Sequence, residues 1–321
     1  MLTSLDIFTF GESMIRLSSP LGQRIETVQS LDLRIGGTES NLSIALARLG
    51  RNVAWTSVLP RNPLGQRIAR ELNWHGVDTS AVTWCDNERI GVYFLDTGTT
   101  PRATQVLYDR KDSAVAKSTP DQINMEPADQ TRILHLTGIT VAISPGCAET
   151  CQQLITRAKK AGATFSFDVN YRSLLWSPEE AQAGLNPICE QADILFCGRE
   201  DAETIWGISG EPEDVVQELH RRFNSNITVT TLGSDGAIIR MPDGSLRRTP
   251  SVPVDIVDPV GAGDAFAAGF LHGFLDDDLE RALQLAPALA ALKMTISGDL
   301  AVINPAELEA VVNHNQQGII R

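Results

Sequence analysis

The sequence predicts one α/β domain over residues 1–321, a mainly parallel sheet flanked by helices on both faces, with a small β-sheet lid inserted at about 15–36 and 88–110. Three observations carry this expectation. From residue 133 onward, short apolar runs alternate with stretches of helical period, which is the pattern of repeated β-α units covered on both faces. Strand-like segments at 17–35 and 90–108 stand apart from that alternation and suit a smaller sheet of their own. No internal repeat or low-complexity linker divides the chain, and 42% hydrophobic with 21% charged residues is an ordinary globular balance.

The elements follow in order. Ile7-Phe-Thr-Phe-Gly11 reads as a first buried strand, and the mixed alternation over 17–35 as lid strands. Gly36-Gly37-Thr38-Glu39-Ser40-Asn41 opens an amphipathic helix that Gly50 stops. A strand at 53–58 and a helix at 65–74 come next, then two lid strands at 90–95 and 104–108 around the turn cluster 97–101. Strands at 133–136, 165–168, 194–197 and 227–230 alternate with helices at 147–161, 201–206 and 215–223. A hairpin at 237–240 and 246–249 precedes the long C-terminal helices.

Bulk properties exclude several partner classes. A net charge of −13 argues against nucleic acid or an anionic membrane as the main partner. The N-terminus has no basic stretch before its apolar residues and is interrupted by Asp6, so it does not read as a signal peptide, and no apolar run is long enough to span a bilayer. The five cysteines show no zinc spacing, and Cys147 and Cys151, one helical turn apart, read as buried thiols. A cytoplasmic protein is expected. The five histidines are scattered and read as structural.

Chemistry concentrates where strands end, because ligands of open α/β sheets lie at the carboxyl ends of the strands. Asp258-Pro-Val-Gly-Ala-Gly-Asp264 is a small-residue loop opening into a buried helix. Unpaired amides at such a helix start bind an anion, typically phosphate. A carboxylate beside that hole suits a general base that deprotonates an attacking hydroxyl. On the loop alone, Asp264 serves equally well as a helix N-cap. Asp168-Val-Asn-Tyr-Arg172 places three polar groups at another strand end, and Thr231-Leu-Gly-Ser-Asp-Gly236 a glycine turn at a third. No Gly-x-x-x-x-Gly-Lys-Ser/Thr run occurs, so the chain is not a P-loop enzyme.

The run 258–269 resembles the C-terminal signature of the ribokinase-like (PfkB) carbohydrate kinases, and Gly36, Gly37 and Asn41 resemble their N-terminal one. The resemblance implies that Asp264 is the catalytic base. It implies further that the amides of Gly261, Ala262 and Gly263 form the anion hole, that Gly36, Gly37 and Asn41 contact sugar, and that Thr231, Gly233 and Gly236 contact ATP. Tyr108-Asp-Arg110-Lys-Asp-Ser-Ala and Asp168-x-Asn-x-Arg172-x-x-Leu-Trp are similar to elements of the 2-keto-3-deoxygluconate kinases within that family. There Tyr108, Arg110 and Arg172 would reach the substrate, with Tyr93 in the facing strand as a stacking or hydroxyl-bonding partner. Two arginines suit a sugar acid, since a guanidinium binds a carboxylate through paired hydrogen bonds. A neutral-ketose kinase of the fructokinase kind is the alternative. ATP and Mg²⁺ are implied cofactors, a monovalent cation is a further candidate, and the lid sheet is the expected surface for a homo-oligomer. The family's Asn-x-x-Glu element is altered to Gly198-Arg199-Glu200-Asp201, so no metal ligand is assigned.

Overall fold

The computed structural model describes residues 5–99 and 101–313; the leader reading at residues 1–4 and part of the turn at 97–101 fall outside them. The chain begins with β1 (Leu5–Phe10), β2 (Met14–Ser18) and β3 (Asp32–Gly36), followed by α1 (Thr38–Arg48). Next come β4 (Val53–Thr56), β5 (Val58–Pro60), α2 (Pro63–Trp74), β6 (Thr83–Cys85), β7 (Val92–Asp96) and β8 (Gln105–Asp109). The alternating part holds β9 (Thr131–Thr137), α3 (Gly138–Ile143), α4 (Pro145–Lys160), β10 (Thr164–Asp168), α5 (Pro178–Cys189), β11 (Ile194–Gly198), α6 (Arg199–Trp206), α7 (Pro212–Phe223) and β12 (Ile227–Thr231). The hairpin β13 (Ala237–Arg240) and β14 (Leu246–Thr249) leads to α8 (Ala262–Leu275), α9 (Leu279–Met294) and α10 (Pro305–Val312).

Eight strands form the main sheet in the order β14-β13-β12-β11-β10-β9-β1-β4. The six from β12 to β4 are parallel, and the hairpin adds the antiparallel edge. Period-two alternation splits each inner strand between two cores. Ile7, Val53, Ile133 and Phe196 pack with α1, α8 and α9, whereas Phe8, Ala54, Leu134 and Cys197 pack with α4, α5 and α7. Cys147 and Cys151 are buried in the second core, and burial pushes both thiols up, as inert structural cysteines require.

The lid is a separate four-stranded sheet, β3-β2-β7-β8, with narrower strands than the sequence suggested. Only the two ends of the expected 15–36 region are strand; residues 19–31 run as turns, because Pro20 and Gly22 (φ 80°) interrupt the alternation. The strand expected over 53–58 is likewise two: β4 stays in the main sheet and β5 leaves it to pair with β6.

Two contacts fix the elements around the active face. Helices α8 and α9 pack backbone to backbone: a Cβ on Gly273 would lie 2.5 Å from the Ala282 Cα, and one on Gly269 2.7 Å from the Leu285 carbonyl. Glu39 of α1 is buried against β9 and α3, where its Oε1 accepts hydrogen bonds from Thr137 (2.8 Å) and Thr140 (2.6 Å). Its Oε2 has no partner and faces Gly11, whose absent Cβ leaves the room it occupies. Burial raises this carboxyl to about 7.

Gly273→Val should therefore lower the urea midpoint by an amount equivalent to about 1–3 kcal/mol, since the α8–α9 contact has no space for a branched side chain. A midpoint equal to the parent's would contradict that packing. Glu39 gives a pH signature. Its folded pKa lies above the ordinary value, so its stabilising contribution is full below pH ~4.5 and is lost as pH rises to about 7. Glu39→Gln cannot ionise, so from pH 4.5 to 8 it should gain on the parent by on the order of 3 kcal/mol in urea unfolding. A difference that is flat with pH would show that Glu39 is charged throughout.

Candidate active site

The start of α8 is an open turn by necessity. Gly261 has φ 86°, and a Cβ there would lie 2.1 Å from the Asp299 carbonyl, so only glycine fits. Asp258 shapes the approach: its Oδ1 accepts the Val260 N–H (3.1 Å) and its Oδ2 the Gly298 N–H (2.9 Å). The Ala262 N–H turns back onto the Pro259 carbonyl (3.2 Å). Of the amides expected to form the anion hole, those of Gly261 and Gly263 remain without a protein partner among the described residues, and the Asp264 N–H joins them. Nothing lies within 4 Å of where a Gly263 Cβ would be, so this turn faces open space. It has the positive dipole end and the unpaired donors of an anion site.

Asp264 is not an N-cap. It sits within the first turn of α8, nine-tenths buried, and its carboxylate is held from α1. The Thr38 hydroxyl donates to Oδ1 (2.5 Å) and the Asn41 amide to Oδ2 (2.7 Å). Asn170, in the left-handed region at φ 41°, donates in turn to the Thr38 oxygen (3.1 Å). Burial pushes the Asp264 carboxyl up, while the Thr38 and Asn41 bonds hold it down. Asn41 thus orients the expected base directly, a role that its match to a sugar-contact position did not suggest.

Gly36 and Gly37 are required by close approach. A Cβ on Gly36 would lie 2.3 Å from the Asp299 carboxylate, and one on Gly37 2.0 Å from the Glu12 carbonyl. Above them, Tyr93 donates from its buried hydroxyl to Asp299 Oδ2 (2.6 Å) and packs against Tyr108, with ring centroids 5.8 Å apart. Arg110 lies over the Tyr108 ring at 5.8 Å, and its Nε and Nη2 are engaged by the buried Glu12 (2.8 and 2.6 Å). Arg172 is exposed, and among the described residues its guanidinium is tied only to the Tyr171 carbonyl (2.8 Å).

Asp168 and Asp201 face Arg172 across the same floor. Burial, with Asp264 and Asp201 nearby, raises the Asp168 carboxyl to about 8; burial also pushes Asp201 up, although it accepts the Tyr171 N–H (3.1 Å). The altered element therefore still presents one carboxylate, Asp201, to the site, whereas Glu200 is exposed. No cluster of three metal-ligating side chains occurs among the described residues.

Two cavities meet at this turn. One, of about 440 Å³, is lined by Gly36, Gly37, Asn41, Tyr93, Tyr108, Arg110, Arg172, Thr231 and 261–264. The other, of about 530 Å³, is mostly apolar: Thr231, Gly233 and Gly236 line it with Val252, Val254, Phe266, Ala291 and Met294. They share Thr231, Ala262 and Gly263. Every site residue expected from the sequence borders one or both. Glu12, Arg16, Thr38, Asp258 and Asp299 were missed as functional positions. Asp258 and Thr38 stood inside quoted motifs without a role of their own, and Arg16 carried a signal as a lone charge in the apolar strand Met-Ile-Arg-Leu-Ser.

Comparison with known proteins agrees with this fold. The pfkB family carbohydrate kinase model matches residues 4–316. A Haloferax volcanii 2-dehydro-3-deoxygalactonokinase is 41% identical over 98% of this chain and 99% of its own. The crystal structure of a Thermotoga maritima 2-dehydro-3-deoxygluconokinase superposes with a TM-score of 0.91 at 33% identity, over 97% of this chain and 99% of that one. A Vibrio cholerae fructokinase with fructose, ADP and potassium ion bound has a TM-score of 0.83 at 25% identity, over 96% and 99%. The match runs over nearly the whole chain, and the solved relatives share its fold; the chain belongs to the pfkB family of carbohydrate kinases.

Proposed function

We propose that the chain transfers the γ-phosphoryl group of ATP to the 6-hydroxyl of 2-keto-3-deoxygluconate, with Asp264 as general base. One observation carries the reading. The first cavity ends at the Asp264 turn on the side it shares with the apolar cavity, whereas Tyr108, Arg110 and Arg172 border an outward groove that has no residue in common with that cavity. A molecule with a carboxylate at one end and a primary hydroxyl at the other matches these two ends.

Asp264 takes the proton of the 6-hydroxyl as its oxygen bonds to the γ-phosphorus, and the bond from that phosphorus to the bridging oxygen breaks to release ADP. Thr38 and Asn41 fix the carboxylate's orientation, so little reorganisation accompanies the proton transfer. The Gly261, Gly263 and Asp264 amides receive charge that develops on the phosphoryl oxygens; Ala262 contributes backbone to the turn. Thr231, Gly233 and Gly236, with the apolar wall, take the nucleotide. Two half-buried carboxyls facing Arg172 suit Mg²⁺, which Asp168 and Asp201 would hold and which would neutralise phosphate charge when bound. The lid closes the cavity from above, with Gly36, Gly37 and Tyr93 against the sugar.

The lid also supports pairing with a second copy. Leu33, Leu17, Phe94 and Leu107 are register partners across its four strands and form one partly exposed apolar row on the face away from Arg16 and Tyr93.

Asp264→Asn should lower kcat by roughly 10²–10⁴-fold while ATP affinity, read by calorimetry, stays within about twofold. Turnover near the parent's would remove Asp264 as the base. The substrate reading is tested with 2-keto-3-deoxygluconate, its C4 epimer 2-keto-3-deoxygalactonate and fructose. kcat/KM should favour the acids, and Arg172→Leu or Arg110→Leu should raise KM for them by roughly 10–100-fold without that effect on fructose. The epimer belongs in the panel because the 41% identical relative is named for it. A preference for fructose, or unchanged KM for the acids in both variants, would overturn the acid reading.

A further inference from the structure

Behind the anion turn lies a buried ammonium. Lys293, in the last turn of α9, is fully inaccessible to solvent, and its Nζ donates to two backbone carbonyls, those of Asp258 (2.8 Å) and Ile296 (3.4 Å). It is in no ion pair among the described residues. Burying an ammonium costs several kcal/mol, and neutral carbonyls alone are a poor return for a structural lysine.

The surroundings show what the charge does. Arg16 is the one guanidinium bound to both Asp258 and Asp299, so the pair of carboxylates retains one uncompensated negative charge. Lys293 supplies the balancing positive charge from the other side. The carbonyls it holds belong to two segments that must stay together: the Asp258 loop entering the anion turn, and the turn after α9 that leads to Asp299. These segments also meet through the Val257 and Asp258 amides on the Met294 carbonyl (2.9 and 3.1 Å), and the Asp299 carbonyl is the atom against which Gly261 is packed. A compact cation ligated by backbone carbonyls beside carboxylates is the arrangement that binds K⁺ or Na⁺. Here the cation is covalently attached to the chain. The residues present do not fit a free monovalent ion in that position, because the ammonium already occupies it.

We infer that Lys293 is a tethered monovalent cation that positions the anion turn, so that this kinase needs no free K⁺ there, and that removing the side chain opens a site a free cation can fill. The inference rests on the anion turn serving phosphoryl transfer, and Lys293 acts through that turn without touching substrate.

The test compares potassium chloride with tetramethylammonium chloride at equal ionic strength. It reads the thermal midpoint and ADP affinity, which need no sugar, and then kcat on the preferred acid. The parent protein should give the same midpoint to within about 1–2 °C, and the same ADP affinity and kcat to within about twofold, in both salts. Lys293→Ala should lose roughly 10–100-fold in kcat in tetramethylammonium, with a lower midpoint and weaker ADP binding, and should recover all three as K⁺ is added. Lys293→Met, which fills the space without charge, should be equally impaired and show no recovery. A parent whose midpoint rises by several degrees and whose ADP affinity rises several-fold with K⁺ would overturn the inference. So would an Ala variant that loses nothing, or one that stays unfolded or impaired in both salts. A mistaken sugar assignment would leave the midpoint and ADP readouts untouched, so the two failures are distinguishable.

Discussion

The arrangement depends on one buried bridge. Arg16 reaches from the lid strand β2 to Asp258 (2.5 Å) and Asp299 (2.6 Å), and both carboxylates serve the anion turn: Asp258 binds the Val260 and Gly298 amides, and the Asp299 carbonyl packs against Gly261. A guanidinium shielded from water would be costly by itself, and burial does oppose its charge; Asp299, Tyr93 and Asp258 outweigh that and push its pKa up. The lid and the turn that opens α8 are therefore joined through a buried ion cluster that neither can lose cheaply. Tyr93 extends the same link to β7 through its bond to Asp299.

Strand register makes this bridge possible. Arg34, Arg16, Tyr93 and Tyr108 are cross-strand partners on one face of the lid, and Leu33, Leu17, Phe94 and Leu107 alternate with them on the other. A slip of one residue would turn the arginine and tyrosines outward and bring the apolar row over the substrate cavity. The lid is thus specified by the same alternation that sorts polar contacts inward and an apolar surface outward. Its four strands are short because their task is to present one row of side chains.

Much of this was legible in the sequence for a definite reason: the elements that read correctly announce themselves locally. The parallel sheet shows in apolar runs at regular intervals, and the turn that opens α8 in Val-Gly-Ala-Gly, where only glycine fits at Gly261. What the sequence hid is non-local. Asp299 lies in Ser-Gly-Asp-Leu with no pattern around it, and it matters because folding brings it 283 positions back to Arg16. Thr38 stood inside a recognised signature but gained its role only when α8 put Asp264 beside it. Asn41 was read as a sugar contact, whereas packing turns its amide onto that same carboxylate. Helix α5 was overlooked although Ser177-Pro-Glu-Glu180 is a capping box, because the strand-end polar cluster before it drew the reading toward loop.

Charge closes the argument about what the cavity can accept. Glu12, Asp168, Asp201, Asp264 and Asp299 line it, against Arg110 and Arg172. Arg110 is half committed to Glu12, and Asp299 is satisfied by Arg16 and Tyr93, so the free balance on the floor is Arg172 against Asp168, Asp201 and Asp264. A bare nucleotide triphosphate meeting that floor would be repelled. Burial pushes the Asp168 carboxyl up first, and the neighbouring Asp264 and Asp201 add to the shift. Binding of an anionic nucleotide and an anionic acid is then favourable only if each brings or finds its own positive partner. On the proposed reading, the acid would find Arg172 and the free face of Arg110, and the phosphates the unpaired amides of the α8 turn together with a divalent cation. The carboxylates that deter a naked phosphate are the groups that would attract the cation accompanying it, so an acidic site in a chain of net charge −13 is compatible with two anionic substrates.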